Sequence, residues 1–355
     1  MHNELIFNEF FNRVKMRFNT KMVSTQLMKK VLIFFSLFFS ASLFAAEGFR
    51  THFASAGTLG ENIFTSDIKP GGFVGLGYKK ATADAVTDSS GNQITKGPYG
   101  LPFSYKSTGS VQYLYAGYTS QETYAGGNFS GMMVVPYTSI DKKVMLGANN
   151  LPNSSADVSG LDDLEIGGTW DYKKSFDTKY SAGLALTTKT GGYQIANNGT
   201  SIGQGYYTFK PSFTSITQHG AASYAYKATL GLNTTNSEAD YRSGNLLSLE
   251  AAIGYKTSLG AFGIKVHKLE QIQDDSGSGV APTALNASRM PLNGVTAPNA
   301  DGNRLKYTTA TVFYTAPVSA INSIFYIGFT AMRNQINAPV IQDGYFEMRL
   351  TRALH

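Results

Sequence analysis

Histidine is the side chain that most often acts as a general base near neutral pH, so the search for chemistry starts with the five histidines of the chain. Four of them, His52, His219, His267 and His355, lie beyond residue 45. Only His267 sits in the middle of an alternating segment, with Lys265 on the same face. A serine–histidine hydrolase also needs a partner that the fold positions, which one sequence does not identify. The simpler interpretation is that His267 is a polar residue lining a lumen.

Two pairs of adjacent aspartates are the next candidates. Asp162–Asp163 would supply the two carboxylates of an acid–base site, or would cap the start of a strand after a glycine-rich loop. Asp274–Asp275, followed by Ser-Gly-Ser-Gly, would hold a calcium ion or belong to a solvated loop. Cysteine is absent, which excludes disulfides, thiolate metal sites and a cysteine nucleophile. We expect no enzyme, no catalytic residue, no metal and no cofactor.

The positive charge is concentrated near the amino terminus. The chain has 30 basic and 24 acidic side chains. Residues 1–45 contain six of the basic and two of the acidic ones, which leaves 24 and 22 for the rest, a net charge of +2. Binding of nucleic acid through bulk charge is therefore not expected.

Residues 28–45 have the pattern of a secretory signal peptide. Met28-Lys29-Lys30 provides a positive start, residues 31–46 are uncharged and mostly apolar, and small residues follow near Ala45. The apolar run is shorter than the roughly 20 residues of a spanning helix, although an uncleaved anchor is the alternative. We expect residues 1–45 to be a leader and the mature chain to be exported.

The rest of the chain alternates apolar and polar residues with a period of two, which predicts strands with one apolar face. In 245–256, for example, Leu249 and Ile253 face one way while Ser248 and Glu250 face the other. Charged residues are 15% of the chain and aromatic residues 13%. The predicted strands lie near residues 72–80, 110–119, 126–136, 163–173, 179–189, 205–216, 221–233, 245–256, 260–271, 304–316, 322–334 and 343–353.

The connections between these strands alternate between long and short. Long ones such as 81–109, 137–162 and 272–303 follow or precede short ones such as 174–178 and 257–259. Long loops on one side and tight turns on the other are typical of bacterial outer-membrane barrels. In hydrocarbon every backbone N–H and C=O must pair, and a sheet achieves this only when it closes and leaves no edge. The prediction is an all-β protein, a closed antiparallel transmembrane β-barrel of about 12 strands with short periplasmic turns and long extracellular loops.

In such a barrel the apolar faces contact lipid and the polar faces enclose the lumen, whereas a water-soluble β-sandwich would invert this arrangement. Loop asymmetry, strand length and aromatic residues at strand ends, including Trp170 and Tyr255, favour the barrel. The residues predicted to line the pore are Glu165, Lys210, Lys227, Glu250, Lys265, His267, Glu347 and Arg349.

Residues 46–71 are too irregular for a spanning strand, with Gly57, Gly60 and Pro70 among them. We expect this segment to be a plug in the lumen or a periplasmic extension, and residues 72–355 to form the barrel. About twelve strands enclose a space that the wall side chains alone need not fill, which favours the plug.

Several short motifs, in order, are similar to those of the outer-membrane protein family named for the meta-pathway of phenol degradation. They include Pro70-Gly71 before the first strand, Asp163-Leu164 before a strand with Trp170, and Lys189-Thr190-Gly191-Gly192-Tyr193. Further on, the Asn233, Asn236, Tyr241, Ser243 and Gly244 series and the Gln271, Asp274 and Asp275 series also resemble the family. Gly192 replaces the family's aspartate. The resemblance covers most of the mature chain and is densest over 160–280.

The resemblance implies a barrel of the Gram-negative outer membrane that passes hydrophobic aromatic compounds. We therefore expect a passive channel for small apolar or aromatic solutes, with the barrel-assembly machinery, outer-membrane lipid and lipopolysaccharide as partners. Two alternatives stay open. One is a structural or adhesive barrel whose long loops bind an external partner, and the other is an outer-membrane lipid hydrolase.

Overall fold

The structure is a computed structural model that describes residues 51–64, 69–88, 90–96, 102–146, 154–193, 201–238, 240–276 and 304–354. All of them belong to one compact unit, Leu43–His355. The predicted leader, its signal peptide and most of the 272–303 loop lie outside the described residues. No helix in the described ranges is long and apolar enough to cross a membrane.

The described residues form fifteen strands. Their bounds are β1 (Gly71–Ala83), β2 (Ala85–Val86), β3 (Phe103–Tyr124), β4 (Gly127–Leu146), β5 (Ser154–Leu161), β6 (Glu165–Lys173), β7 (Thr178–Thr187), β8 (Thr208–His219), β9 (Ala222–Asn233), β10 (Leu246–Thr257), β11 (Gly260–Gln271), β12 (Lys306–Val318), β13 (Ser323–Ile336), β14 (Pro339–Val340) and β15 (Tyr345–Leu354). Short 3-10 helices cover Glu61–Phe64 and Ser319–Ile321.

Within the described part of the chain, twelve of these strands close into an antiparallel ring. Each strand pairs with its neighbour in the order β1, β3, β4, β6 through β13, β15 and back to β1. β5 pairs with Tyr137–Val144 of β4, while β6 pairs with Gly127–Val134 of the same strand. β5 and β6 thus make one wall strand that is interrupted at residues 162–164. The predicted closed antiparallel barrel of about 12 strands is confirmed.

The alternation of side chains decides which face meets lipid. In β10, Leu249, Ile253 and Tyr255 are 43%, 49% and 59% exposed on the outside, whereas Ser248 and Glu250 are buried on the inside. An apolar outer surface would be unfavourable in water, but it suits a hydrocarbon surrounding. The polar inner residues consequently have to form hydrogen bonds or ion pairs with one another or with a chain segment that lies between them.

β3 and β4 are longer than predicted, with 22 and 20 residues against the predicted 110–119 and 126–136. β3 continues through residues 120–124 toward its short turn, but most of the extra length lies on the side of the long loops, at residues 103–109 and 137–146. There Phe103, Tyr105 and Val144 pack with Ala83 and Val86 in a small hydrophobic core. This end of the barrel therefore has a core of its own. The alternation is weaker there because charged residues interrupt it, which is why the sequence reading ended both strands early.

Candidate functional site

A short segment, residues 51–64, lies within the ring of strands, and we call it the inner segment. Its last four residues form the 3-10 helix Glu61–Phe64. Leu59 and Ile63 are fully buried against inward-facing residues of the wall. Those wall residues are Ile216, Ala225, Ala252, Ala261, Phe313 and Tyr326. Burial of these apolar side chains gives the inner segment a favourable contact with one part of the lumen.

Glu250 of β10 binds the middle of the inner segment. Its carboxylate accepts hydrogen bonds from the backbone N–H groups of Thr58 (2.7 Å) and Leu59 (2.8 Å) and from the Thr58 hydroxyl (3.2 Å). Glu250 is only 5% exposed, so its negative charge needs such donors. Gly57 adopts φ +70°, and a Cβ there would lie 2.4 Å from Glu250 Oε2. Glycine is therefore required where the segment approaches this carboxylate.

Two lysines of the neighbouring strands hold the same stretch. Lys265 of β11 donates from Nζ to the backbone oxygen of Leu59 (2.6 Å), and it is 1% exposed. Lys227 of β9 donates from Nζ to Thr58 Oγ1 (2.6 Å). Thr58 and Leu59 of the inner segment thus donate backbone N–H groups to a carboxylate and also accept hydrogen bonds from two ammonium groups.

His267 of β11 also contacts the inner segment. Its Nδ1 lies 3.0 Å from the backbone oxygen of Ser55, which can only accept, so Nδ1 is the donor. Its Nε2 lies 3.0 Å from Ser248 Oγ. The imidazole is fully buried, with the edge of Tyr307 against it. A Ser–His pair exists here, but it lies beneath the inner segment with both ring nitrogens in use.

Arg349 of β15 binds the end of the inner segment. Its Nη2 lies 2.8 Å from Glu61 Oε2, and its guanidinium carbon lies 4.0 Å from the centre of the Tyr326 ring. A guanidinium group is suited to such a position because it pairs with a carboxylate and stacks on an aromatic ring at once. The 3-10 helix is thereby fixed to the wall by charge as well as by packing.

His52 binds the beginning of the inner segment to the opposite part of the wall. Its Nε2 lies 2.9 Å from Asp163 Oδ2, and its Nδ1 lies 2.6 Å from Thr208 Oγ1. Asp163 also accepts the backbone N–H groups of Gly191 (2.8 Å) and Gln204 (2.7 Å). Burial lowers the pKa of the His52 imidazole from its ordinary value, and the Asp163 carboxylate opposes this lowering. The neutral imidazole is therefore favoured when the segment is in place.

Lys210 of β8 connects His52 to the wall a second time. Its Nζ donates to the backbone oxygen of His52 (2.6 Å) and to Glu165 Oε2 of β6 (2.5 Å). Since Lys210 is 7% exposed, its ammonium group is paired in an environment with little water.

Two phenylalanines of the inner segment lie in sockets that glycines leave open in the wall. Phe53 lies over Gly231 of β9, where a Cβ would be 2.4 Å from Phe53 Cε2. Phe64 lies over Gly254 of β10, where a Cβ would be 2.4 Å from Phe64 Cε1 and Cζ. Both glycines face inward, so any side chain at these positions would occupy the space that the rings now fill.

The rest of the lumen is a cavity of about 990 Å³ between the inner segment and the wall formed by β1, β3, β4 and β6. Part of its surface is apolar, because Val111 of β3 and Met132, Val134 and Pro136 of β4 face it. These four residues face inward, and on the other side of the barrel the inward positions are occupied by Lys227, Glu250 and Lys265. We call this apolar stripe the β3–β4 face.

Tyr113 and Tyr115 form the side of the cavity next to the β3–β4 face. They lie across β1 against Gly77 and Gly75, where a Cβ would be 2.2 Å and 2.3 Å from the respective Cζ atoms. The Tyr113 hydroxyl donates to Glu347 Oε1 (2.6 Å). The two rings consequently lie flat along the wall and do not cross the lumen.

The eight predicted pore residues all lie on the inner face of the ring. Six of them contact the inner segment directly, while Glu165 binds Lys210 and Glu347 binds Tyr113. The six are Lys210, Lys227, Glu250, Lys265, His267 and Arg349. In this state most of these charges hold the inner segment, and six of the eight also border the cavity: Glu165, Lys210, Lys227, Glu250, Glu347 and Arg349.

The aspartate pairs have structural partners. Asp162 accepts the Thr138 hydroxyl (2.6 Å), and Asp163 binds loop amides and His52 as described above. Asp274 pairs with Arg304 (2.7 Å), and Asp275 accepts the Tyr241 hydroxyl (2.5 Å). In the described ranges no group of three His, Cys, Asp or Glu residues is placed to hold a metal ion. Residues 277–279 of the suggested calcium loop lie outside those ranges, as does His355.

Sequence reasoning did not find His52, Asp163 and Thr208 as partners, nor the sockets at Gly231 and Gly254. Glycines at inward positions of strands were a usable signal, since an absent side chain there marks the close approach of another group. The β3–β4 face was also detectable, because Met132, Val134 and Pro136 interrupt the polar face with apolar residues.

The closed ring with an occupied lumen is the fold of an outer-membrane β-barrel. A family model described as "Putative MetA-pathway of phenol degradation" matches residues 69–294, and the chain belongs to this family. The resemblance that the sequence motifs indicated is thereby confirmed.

A solved structure shows the same architecture. The COG4313 outer membrane channel from Pseudomonas putida F1 aligns with a TM-score of 0.61 and 14% identity, over 81% of this chain and 97% of that chain. At this identity the likeness shows the fold alone. The P. putida toluene transporter TodX aligns over 87% of this chain and 95% of that chain with 10% identity, but its TM-score of 0.39 carries no argument. Comparison with curated proteins finds no match.

Proposed function

We propose that this protein is an outer-membrane channel through which small apolar or aromatic solutes pass along the β3–β4 face, beside the inner segment. The observation that carries the proposal is the cavity of about 990 Å³ whose one side is apolar although it lies inside a barrel. A water-filled pore has no need of Val111, Met132, Val134 and Pro136 on its inner surface, whereas an aromatic ring is desolvated favourably against them. The name of the family agrees with an aromatic solute.

Passage would be passive in this account. The tyrosine rings and the apolar stripe offer weak, non-directional contacts, which let a solute enter and leave again. Charges of both signs surround the inner segment, so strong selection for anions or cations is not expected. We propose no catalytic step, because the one Ser–His pair identified in the described residues is buried beneath the inner segment.

The proposal includes the route to the membrane. Residues 28–45 would direct export, the barrel-assembly machinery would insert the barrel, and outer-membrane lipid and lipopolysaccharide would surround it. The long loops would then face outward and the short turns the periplasm.

The test measures flux into proteoliposomes with two sugars that cross lipid slowly, phenyl β-glucoside and methyl β-glucoside. The proposal predicts faster flux of the phenyl compound, and inhibition of that flux by added phenol, because both rings compete for the β3–β4 face. Val134→Asp should reduce the preference for the phenyl compound, while Val134→Ile, which keeps an apolar side chain at the same position, serves as the control. Equal flux of both sugars, or no flux above protein-free vesicles, would overturn the proposal.

A further inference from the structure

The lipid-facing surface of the barrel contains a groove of about 430 Å³ across β8 to β11. Its floor is made of two small residues, Ala228 and Ala251. Larger neighbours stand beside them in the sheet register, with Phe213 and Leu249 opposite Ala228, and with Tyr226 and Val266 opposite Ala251. The lining is almost entirely apolar.

Lys268 closes this groove at the end that leads to the long 272–303 loop. Its Nζ lies 2.5 Å from Glu270 Oε2, and Lys306 Nζ lies 3.4 Å from the other oxygen of the same carboxylate. Lys268, Thr308 and Arg333 follow one another across the sheet register of β11, β12 and β13. Two ammonium groups thus flank one carboxylate on the outer surface at the end of the apolar band, and Arg333 lies two strands away in the sheet register.

We propose that this surface binds a phosphate-bearing lipid of the leaflet on the long-loop side, with the phosphate at Lys268 and Lys306 and one acyl chain in the groove. Each ammonium group has three N–H donors, so each keeps donors for a phosphate after binding Glu270. Glu270 places the two lysines beside each other, and Arg333 adds a second type of phosphate donor at the edge.

Position and charge select this occupant over an ordinary membrane lipid. A cation on the lipid face is costly at the middle of the bilayer but nearly neutral at the interface, and these cations lie at one end of the apolar band. The positive net charge of the cluster, with two lysines and one carboxylate, favours an anionic headgroup over a zwitterionic one. Because the groove is continuous with Lys268, one molecule can satisfy both parts. The site does not depend on what the lumen transports.

The experiment is native mass spectrometry of the detergent-purified full-length protein with bis-phosphorylated lipid A as the probe. We expect one tightly retained lipid A, at least tenfold weaker retention of phosphatidylcholine, and no displacement by inorganic phosphate at millimolar concentration. The variant Lys268→Ala/Lys306→Ala should weaken lipid A binding about tenfold. The control Lys106→Ala/Lys143→Ala removes an exposed lysine pair that faces each other on β3 and β4, and it should bind normally.

A second pair of variants tests the acyl chain. Ala251→Phe fills the groove, whereas Ala116→Phe adds the same ring to an exposed outer position of β3. Only the first should reduce binding of lipid A. All variants are checked for folding by the shift of the unheated barrel on a gel. Equal binding by both lysine pairs, equal binding by both alanine variants, equal retention of phosphatidylcholine, or displacement by inorganic phosphate would each overturn the proposal.

Discussion

The two halves of the lumen wall are built on one backbone plan but carry different inner residues. The half formed by β8 to β13 has Lys210, Lys227, Glu250 and Lys265 on its inner face, and the inner segment covers them. The half formed by β1, β3 and β4 has mostly valine, methionine, proline and flat tyrosine rings, with Lys79 and Lys142 among them, and a cavity lies in front of these residues. The comparison shows that the choice of every second residue decides which half is filled and which half stays open.

The charged half also specifies where the inner segment lies. Buried ion pairs give little net stability, because each charge loses its hydration, yet removing one partner leaves the other unpaired at high cost. These contacts therefore determine the position of the inner segment more than they add to its stability. The open half has fewer inward charges, with Lys79 of β1 and Lys142 of β4 beside the cavity, and no comparable segment of the described residues binds there.

The largest expected effect comes from removing the carboxylate that binds the middle of the inner segment. Glu250→Ala deletes the acceptor of three hydrogen bonds. It also removes the carboxylate near the buried ammonium group of Lys265. Together these losses should weaken docking of the inner segment by about 3–5 kcal/mol. Protease cleavage within residues 51–64 should become fast, and single-channel conductance should rise. Glu122→Ala, at an exposed position of β3, is the control. A protected segment in Glu250→Ala would show that packing alone holds it.

Filling a socket should have the next largest effect. Gly254→Ala places a methyl group 2.4 Å from the Phe64 ring, so the ring must leave its site, at a cost of about 1–3 kcal/mol of docking free energy. The control is Gly131→Ala on the outer face of β4, where a Cβ meets nothing closer than 4.0 Å. The same assays apply. Unchanged protease protection in Gly254→Ala would mean that Phe64 does not contribute to docking.

Lowering the pH should weaken docking of the inner segment by a smaller amount. Burial lowers the pKa of His52 while it is docked, whereas a released imidazole regains its ordinary value of 6.5. The released form then binds a proton first as pH falls. Docking is therefore complete above about pH 6.5 and is lost as pH falls from there toward the docked pKa, by at most about 1.4 kcal/mol per pH unit. Conductance should be higher at pH 5 than at pH 8.

His52→Gln removes the titrating group but keeps a side chain that can donate to Asp163. Its conductance should change much less between pH 8 and pH 5 than that of the unmodified protein. An equal response in both proteins would assign the pH dependence to another group.

The smallest expected effect lies in the open half. Gly77→Ala puts a methyl group 2.2 Å from Cζ of Tyr113, which should turn the ring away from the wall and into the cavity. Flux of phenyl β-glucoside should fall about threefold, equivalent to about 0.6 kcal/mol. Gly109→Ala is a matched control, since Gly109 borders the same cavity and a Cβ there has no neighbour within 4 Å. Equal flux in both variants would show that Tyr113 does not limit passage.

Much of the wall could be predicted because its pattern is local. A period of two repeats within each strand, so the wall strands β6 to β13 and β15 lie within a few residues of their predicted bounds. The same alternation correctly places Lys227, Glu250 and Lys265 on the inner face. The split between β5 and β6 escaped prediction. Pro136 lacks an N–H group and accepts a bond from Asp162 at the interruption, a pairing that depends on the neighbouring strand.

The inner segment could not be placed in the same way. It has no periodicity, and its bonds join residues far apart in sequence, such as Thr58 and Glu250, which are 192 positions apart. The alternating sequence predicts the inward charges, but it does not predict the backbone groups of the inner segment that form hydrogen bonds with them. An inward charge in a barrel needs either water or a partner, and the sequence alone does not say which.

The claim that solutes pass along the β3–β4 face can be tested at one side chain. The natural chain has no cysteine, so Val134→Cys and Val135→Cys each provide a single thiol, one facing the cavity and one on the opposite face of the same strand. Flux of phenyl β-glucoside is measured before and after reaction with a bulky maleimide. The account predicts that modification blocks flux through Val134→Cys and leaves flux through Val135→Cys unchanged. Undiminished flux through fully modified Val134→Cys would contradict it.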